Sequence, residues 1–337
     1  MALPGNSINF GSTTGNTNIQ GNQITGTNIS INQANQFEDE CLRHLRRTDP
    51  RHDKTRIEEA KGGLLKDVSC WIFEHHDYKQ WLHNPESRLL WVRGDPGKGK
   101  TMLLCDIINE LKKPTSNNSN PVPISYFFCQ ANHNQLNNAT SVLFGLIYLL
   151  VDEQRFLISH LEKHYSSADK GLFEGINAWF ALSEIFTSIL DDLRLPQVIL
   201  LVDALDECET DLLKLLRLIR TSSSRAKWIV SSRNKPDIEE ELDAAVCKIP
   251  LSLELNANLI SNAVRIYIQH MVQFLAVRKR YDDSLRHDVE TYLVDVRSST
   301  GNPVRLFKSL NFNITHCRAK PNIYTFTALW IGCILAS

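Results

Sequence analysis

The stretch LLWVRGDPGKGKTMLL at residues 89–104 decides the fold of this chain. Its first four residues are apolar and predict a buried strand, and the apolar run after the glycines predicts a helix. Between them, residues 94–101 fit the pattern G-x-x-x-x-G-K-[ST] in the strand–loop–helix context that this motif requires. The sequence therefore predicts a phosphate-binding loop. A chance glycine-rich loop is the less favoured alternative, because both flanks also fit.

The chemistry of this loop follows from its residue types. Glycines let consecutive backbone N–H groups turn inward around a polyphosphate, and the following helix points its positive end at the same anion. Lys100 adds a positive charge for the β- and γ-phosphates, and the Thr101 hydroxyl is a candidate Mg²⁺ ligand. The candidate nucleotide-binding residues are Gly94, Asp95, Pro96, Gly97, Lys98, Gly99, Lys100 and Thr101.

A second apolar run, VILLV at residues 198–202, has the character of a strand buried on both faces. Asp203 follows it directly. Because an acid at the C-terminal end of a central strand is expected beside the phosphate-binding loop, Asp203 is a candidate Mg²⁺ ligand. Asp206 or Glu207, a few residues later, could orient a water molecule at the γ-phosphate. The alternative for these two acids is charge at the N-terminus of a helix.

The stretch KWIVSSR at residues 227–233 predicts another strand that ends in a cation. We expect Arg233 to contact the γ-phosphate and to sense its presence. The alternative is a surface ion pair between Arg233 and Asp203 or Glu207. The candidate catalytic residues are thus Lys100, Asp206, Glu207 and Arg233.

Strand and helix patterns alternate along residues 89–236, which predicts an α/β fold with an open parallel sheet and helices on both faces. Residues 38–88 read as a charged helical lead-in, with a break expected at Gly62-Gly63. Within it, residues 55–65 are a weak candidate for contacting the base and ribose of a nucleotide. A helix that only packs against the core is the favoured alternative.

Composition bounds the function. The net charge is −1, so no overall field favours nucleic acid or a membrane surface. The eight cysteines are scattered without a C-x-x-C pair, which is typical of reduced thiols in the cytosol. No basic and apolar leader and no run of eighteen apolar residues occurs. We therefore expect a cytoplasmic protein with no transmembrane segment and no nucleic-acid partner.

Residues 1–37 contain no Asp, Glu, Lys or Arg and are rich in Gly, Asn, Gln and Thr. Isoleucine recurs every five residues at Ile19, Ile24 and Ile29. Alone, such a segment buries too little apolar surface to fold and should be disordered. Stacked with copies of itself, it could form Asn/Gln ladders and a dry isoleucine seam. A conditional cross-β segment and a flexible polar tail are equally compatible with the residues.

Together these segments resemble the NACHT class of STAND P-loop NTPases, and most closely the fungal group that includes vegetative-incompatibility proteins. The resemblance covers about residues 38–295 and is carried by residues 40–65, 88–104, 124–130, 198–208 and 227–234. It implies a P-loop NTPase fold that binds ATP or GTP with Mg²⁺ and hydrolyses it slowly. It also implies a switch that self-oligomerises on nucleotide exchange and signals to a cell-death effector. In fungal relatives a short N-terminal amyloid motif can template the effector, which favours the cross-β interpretation of residues 11–33.

The resemblance suggests five segments. These are a disordered segment with a possible amyloid motif (1–37), the helical lead-in (38–88), the NACHT core (89–240), a helical extension (241–296) and a tail (297–337). No WD40, ankyrin or TPR period follows the core. We expect the tail to come from a different reading frame or a retained intron, with a lineage-specific tail as the alternative. A metabolic or nucleic-acid-dependent P-loop enzyme and a non-functional truncated fragment are the competing functional hypotheses.

Overall fold

The fold is built on one parallel sheet of five strands. The computed structural model describes residues 38–60, 66–114, 122–165, 173, 175, 177–245 and 248–300. The strands are β1 (Leu89–Arg93), β2 (Ile124–Phe128), β3 (Val198–Asp203), β4 (Ala226–Ser232) and β5 (Lys248–Ser252). They lie in the order β2-β3-β4-β1-β5, and every pair is parallel. This sheet with its flanking helices confirms the predicted fold class.

The central strands are buried on both faces, and most of their side chains are apolar. β3 and β4 are buried along their whole length, as expected for interior strands of a parallel sheet. The strand order separates β3 from β1 by β4. Asp203, at the end of β3, is therefore two strands away from β1, which leads into the phosphate-binding loop. The register places it at the level of Ser231 on the intervening strand.

β5 is an edge strand that the sequence pattern does not reveal. It lies inside residues 241–296, which the sequence assigns to a helical extension, and it pairs with β1. Its sequence KIPLS contains Pro250, which is exposed and paired in register with Trp91. Proline is tolerated at a sheet edge, where its missing N–H leaves no partner unsatisfied. The sheet therefore extends along the chain beyond residue 240.

Helices flank the sheet and form the lead-in. A first helix, α1, covers residues 38–45. The others are α2 (Pro50–Ala60), α3 (Lys66–Glu74), α4 (His76–His83), α5 (Lys100–Leu111), α6 (Ala139–Glu153), α7 (Ile158–Tyr165), α8 (Ala178–Asp191), α9 (Leu212–Thr221), α10 (Pro236–Asp243), α11 (Ala257–Lys279) and α12 (Asp283–Thr300). α5 packs over β3 and β4, and α4 packs against β1 and β5. The expected break at Gly62-Gly63 lies outside the described residues, as do residues 1–37 and 301–337.

α6 is the most deeply buried helix that the structure describes. Every residue from Val142 to Val151 is buried, and the helix packs against β2 and α8. A Cβ on Gly145 would lie 2.5 Å from the ring of Phe127 on β2. Because real Cβ contacts are never that short, only glycine allows α6 to approach the sheet this closely.

The last two helices form a small unit of their own. α11 and α12 pack together around a cluster of four buried residues, Ile268, Val272, Leu275 and Leu293. α11 also packs against α3 of the lead-in. Within the described part of the chain, no helix is both long enough and apolar enough to cross a membrane.

Candidate nucleotide site

The predicted phosphate-binding loop connects β1 to α5. Gly97 has a φ of 80° and Gly99 a φ of 85°, in the left-handed region that other residues adopt only with strain. A Cβ on Gly99 would meet nothing within 4 Å, so the space beside the loop is open. The Leu103 N–H donates to Gly99 O at 2.9 Å and so starts α5. Open space, permissive glycines and a helix N-terminus together fit an anion site.

Lys100 lies in the first turn of α5, and its side chain folds back over the loop. Its Nζ donates to Gly94 O and, at 3.0 Å, to Asp95 O. Burial lowers the pKa of Lys100 below its usual value. Three carboxylates oppose that shift, and all of them therefore lie within electrostatic reach of the ammonium group: Asp206, Asp203 and Glu254. The structure thus surrounds one lysine with several acids.

Asp203 is oriented by the neighbouring strand. Its side chain is buried at the end of β3, and Ser231 Oγ on β4 donates to Asp203 Oδ1 at 2.5 Å. The same hydroxyl accepts a hydrogen bond from the Ala204 N–H at 2.9 Å. Ala204 has a φ of 54°, so the chain turns through the left-handed region directly after Asp203. One serine therefore fixes both the acid and the turn that follows it.

Asp206 and Arg233 form a two-point contact. The Arg233 backbone N–H donates to Asp206 Oδ1 at 2.9 Å, and Arg233 Nε lies 2.9 Å from Asp206 Oδ2. The side chain of Asp206 is only 3% exposed. Arg233 Nη2 is 3.9 Å from Glu207 Oε1, and the other oxygen of Glu207 accepts from the Ala131 N–H at 3.1 Å. Of the two partners considered from the sequence, Asp203 and Glu207, the structure places Glu207 within ion-pair distance of Arg233, and the closer partner is Asp206. The roles of Arg233, Asp206 and Glu207 in catalysis stay predictions.

Glu254 belongs to this site, although no sequence pattern indicates it. It follows β5, and its Oε1 accepts a hydrogen bond from the Asp95 N–H in the loop at 2.6 Å. The two partners are 159 residues apart in the chain. A carboxylate two residues after an edge strand that itself is not recognisable from sequence carries no local signal. Only the pairing of β5 with β1 brings it to the loop.

The donor chemistry of the site suits Mg²⁺ with a phosphate. Within the residues that the structure describes, no group of three or more His, Cys, Asp or Glu could hold a metal. Mg²⁺ at phosphate sites uses one or two protein oxygens and completes its shell with phosphate oxygens and water. The Asp203 carboxylate and the Thr101 hydroxyl are oxygen donors of that kind. The residues present therefore fit such an ion.

The strand–loop–helix, the strand order and the acids after β3 define a P-loop NTPase. Residues 68–233 match the family model described as Nephrocystin 3, N-terminal. The chain is 56% identical over 259 residues, or 76% of its length, to the vegetative incompatibility protein HET-E-1 of Podospora anserina. It belongs to the NACHT-type STAND P-loop NTPases related to that protein, as the resemblance predicts. The match covers 19% of the length of this curated relative, about a fifth.

Two solved structures are similar in part. One is the Aeropyrum pernix ORC1 protein in complex with DNA, at 12% identity and a TM-score of 0.32, covering 69% of this chain and 64% of that one. The other is C. elegans PCH-2, at 14% identity and a TM-score of 0.27, covering 68% and 49%. Both superpositions are too loose to bear on function.

Proposed function

We propose that this chain is a nucleotide-dependent signalling switch that binds ATP or GTP with Mg²⁺ at the loop of residues 94–101. The observation that carries the proposal is Lys100, a partly buried cation at the start of α5, with Gly97 and Gly99 in left-handed conformations beside it. Phosphate oxygens would replace the loop carbonyls as acceptors for Lys100 Nζ. When bound, Mg²⁺ would supply positive charge that offsets the phosphate oxygens.

The acids around Lys100 make a specific demand on the ligand. Asp203, Asp206 and Glu254 act on this ammonium group together with one further cation, Arg233, so the acids outnumber the cations and a bare triphosphate would meet a net negative charge. Mg²⁺ bound to the triphosphate offsets two of its negative charges. Thr101 and Asp203 would hold that ion. We therefore expect nucleotide binding to depend steeply on Mg²⁺.

The contacts of the candidate catalytic residues favour slow hydrolysis. Arg233 is bound at two points to Asp206, so a contact between Arg233 and the γ-phosphate would require this ion pair to open. Glu207, which would orient the attacking water, is engaged by the Ala131 N–H. Both groups must therefore exchange partners before they act, as suits a switch better than a rapid enzyme.

The name of the 56% identical relative, a vegetative incompatibility protein, supports a role in a heterokaryon-incompatibility response. The resemblance to NACHT-type STAND proteins implies that such a response ends in cell death. In this proposal the nucleotide state sets self-oligomerisation of the cytoplasmic protein. Assembly would then bring the segments of residues 1–37 together at a local concentration on the order of millimolar. An effector would be recruited through that segment.

Titration calorimetry of the full chain with ATP and GTP, each with and without Mg²⁺, tests the nucleotide site. We expect Lys100→Ala to weaken binding roughly 10- to 100-fold, because charge-assisted hydrogen bonds contribute about 1.5–3 kcal/mol each. Lys79→Ala on α4 is the matched control and should bind as the wild type. Equal binding by wild type and Lys100→Ala would contradict the proposal. Fast steady-state turnover would support an ordinary P-loop enzyme instead.

The assembly step has a separate test. Light scattering after size exclusion should give a larger particle with the Mg²⁺-triphosphate than with the diphosphate, and Lys100→Ala should not respond. A peptide of residues 11–33 should form fibres, whereas a scrambled peptide of the same composition should not. A peptide that stays soluble at high concentration would remove the amyloid part of the proposal and leave the nucleotide switch intact.

A further inference from the structure

The start of the phosphate-binding loop is held by the turn that follows β5. Besides the bond from the Asp95 N–H to Glu254, the Leu253 N–H donates to Arg93 O at 2.9 Å. A Cβ on Gly94 would lie 3.1 Å from Glu254 Oε1 and 3.1 Å from Leu253 Cβ. The loop and the turn are therefore packed closely, and a side chain at position 94 would require Leu253 or Glu254 to shift by a few tenths of an ångström.

Hydrogen bonds also connect this turn to the start of α11 and to the residue before α4. Ser252 Oγ donates to Glu254 Oε2 at 3.1 Å, and Asn256, directly before α11, donates its amide to Ser252 O at 2.8 Å. Asn256 Oδ1 lies 3.0 Å from His75 Nε2. Because His75 Nδ1 accepts from the Asp77 N–H at the start of α4, the proton is on Nε2 and His75 donates to Asn256. The turn thus connects the loop, α11 and the lead-in.

Glu254 and Lys100 contact opposite sides of one residue. Lys100 Nζ donates to the Asp95 carbonyl at 3.0 Å, and Glu254 accepts from the Asp95 N–H. Once Lys100 turns to a phosphate, Asp95 keeps its bond to Glu254 at 2.6 Å and a longer one, at 3.4 Å, from the Lys98 N–H to its carbonyl, so Glu254 is the closer contact. Burial raises the pKa of Glu254, but hydrogen bonds from the Asp95 N–H, its own N–H and Ser252 together hold that pKa below its usual value. The carboxylate is therefore charged at neutral pH.

We propose that Glu254 is a positioning residue for the phosphate-binding loop, and that the turn of residues 253–256 transmits occupancy of the loop to α11. Glu254 provides the contact on the loop, and Asn256 provides the contact on the helix side. α11 packs against both α12 and α3, so a shift of the turn moves the helical pair relative to the lead-in. This inference rests on the proposed nucleotide binding, but it concerns a different contact and can fail independently.

Hydrogen exchange of the full chain, without nucleotide and at saturating Mg²⁺-ATP or Mg²⁺-GTP, tests both halves of the link. In the wild type we expect nucleotide to change exchange in α11. Glu254→Ala should speed exchange of the loop amides without ligand, weaken binding about 10-fold and abolish the α11 response at saturation. Glu254→Gln keeps an acceptor oxygen and should retain most of that response. Asn256→Ala should bind nucleotide as the wild type does and still lose the α11 response.

Asn256→Ala separates transmission from a merely structural role, because a structural role would alter the nucleotide affinity and the α11 response together. Glu240→Ala, the same change on the exposed surface of α10, is the control and should match the wild type throughout. An unchanged α11 response in both Glu254→Ala and Asn256→Ala would overturn the proposal, as would nucleotide binding by the wild type without any α11 response. If the wild type bound no nucleotide, the proposed function would fail. Unchanged loop exchange in ligand-free Glu254→Ala would then overturn the positioning role as well.

Discussion

The two sides of the phosphate-binding loop are built differently. On the β4 side, the acid of the site is held by buried groups, since Ser231 and Asp203 are both inside the sheet. On the β5 side, Glu254 extends from the end of an edge strand with alternating burial, and its serine partner is only partly buried. Two buried strands hold Asp203 on the β4 side, whereas one turn holds Glu254 on the β5 side. The difference indicates that the loop lies between the buried sheet and the helical pair of α11 and α12, which has a small hydrophobic cluster of its own.

Leucine truncations in β3 and in α11 test this comparison most directly. Leu200→Ala in fully buried β3 should lower the free energy of unfolding by about 2–5 kcal/mol, because the sheet cannot collapse around the cavity. Leu275→Ala in α11 should lower it by less than about 2 kcal/mol and should act mainly by local opening of α11 and α12. Urea denaturation with hydrogen exchange measures both effects. Equal losses, with α11 exchanging only on global unfolding, would show that the helical pair is as firmly held as the sheet.

Matched serine variants sharpen the comparison at the site itself. Ser231→Ala removes the hydroxyl that donates to Asp203 and accepts from Ala204, and leaves a buried carboxylate with one bond fewer. The expected loss of stability is about 1–3 kcal/mol. Ser252→Ala removes one bond to a partly exposed Glu254 and should lose at most about 1 kcal/mol, since water can replace the donor. Thermal melting of the two variants ranks them, and a reversed order would contradict the assignment of the rigid side.

The smallest expected effect concerns the turn after Asp203. Ala204 has φ 54° and ψ 52°, which is strained for a residue with a Cβ. Ala204→Gly relieves about 1–2 kcal/mol of strain but adds about 0.5–1 kcal/mol of chain entropy to the unfolded state. We expect a net gain of a few tenths to about 1 kcal/mol in a thermal melt. Ala276→Gly, inside α11, is the control and should lose about 1 kcal/mol. A loss of stability in Ala204→Gly would mean that the turn is not strained.

The parts of the site that sequence predicts are those whose signal is local. The loop of residues 94–101 and the acids after β3 each stand next to a recognisable apolar strand, so the motif and its context lie together in the chain. The order of the strands is not local. The sequence gives no reason for β4 to lie between β1 and β3, so the strand that separates Asp203 from the loop could not be predicted.

The contacts that the sequence missed depend on distant pairing. Arg233 was expected to pair with Asp203 or Glu207 if it paired at all, yet the turn of residues 205–207 places Asp206 against its backbone and side chain. Glu254 could not be found, because β5 has a proline, a lysine and only two buried apolar residues. Its role appears only once the edge strand is paired.

The position of β2 in the sheet has a consequence for synthesis of the chain. Among the strands that the structure describes, β2 is an outer strand with β3 as its one neighbour, and the apolar helix α6 packs on it. Residues 154–197 separate α6 from β3 and take roughly 2–9 s to translate at about 5–20 residues per second. Throughout that interval the growing chain exposes the unpaired strand β2 and the apolar helix α6 to solvent. We expect nascent chains to need a chaperone at residues 139–153 until β3 has left the ribosome.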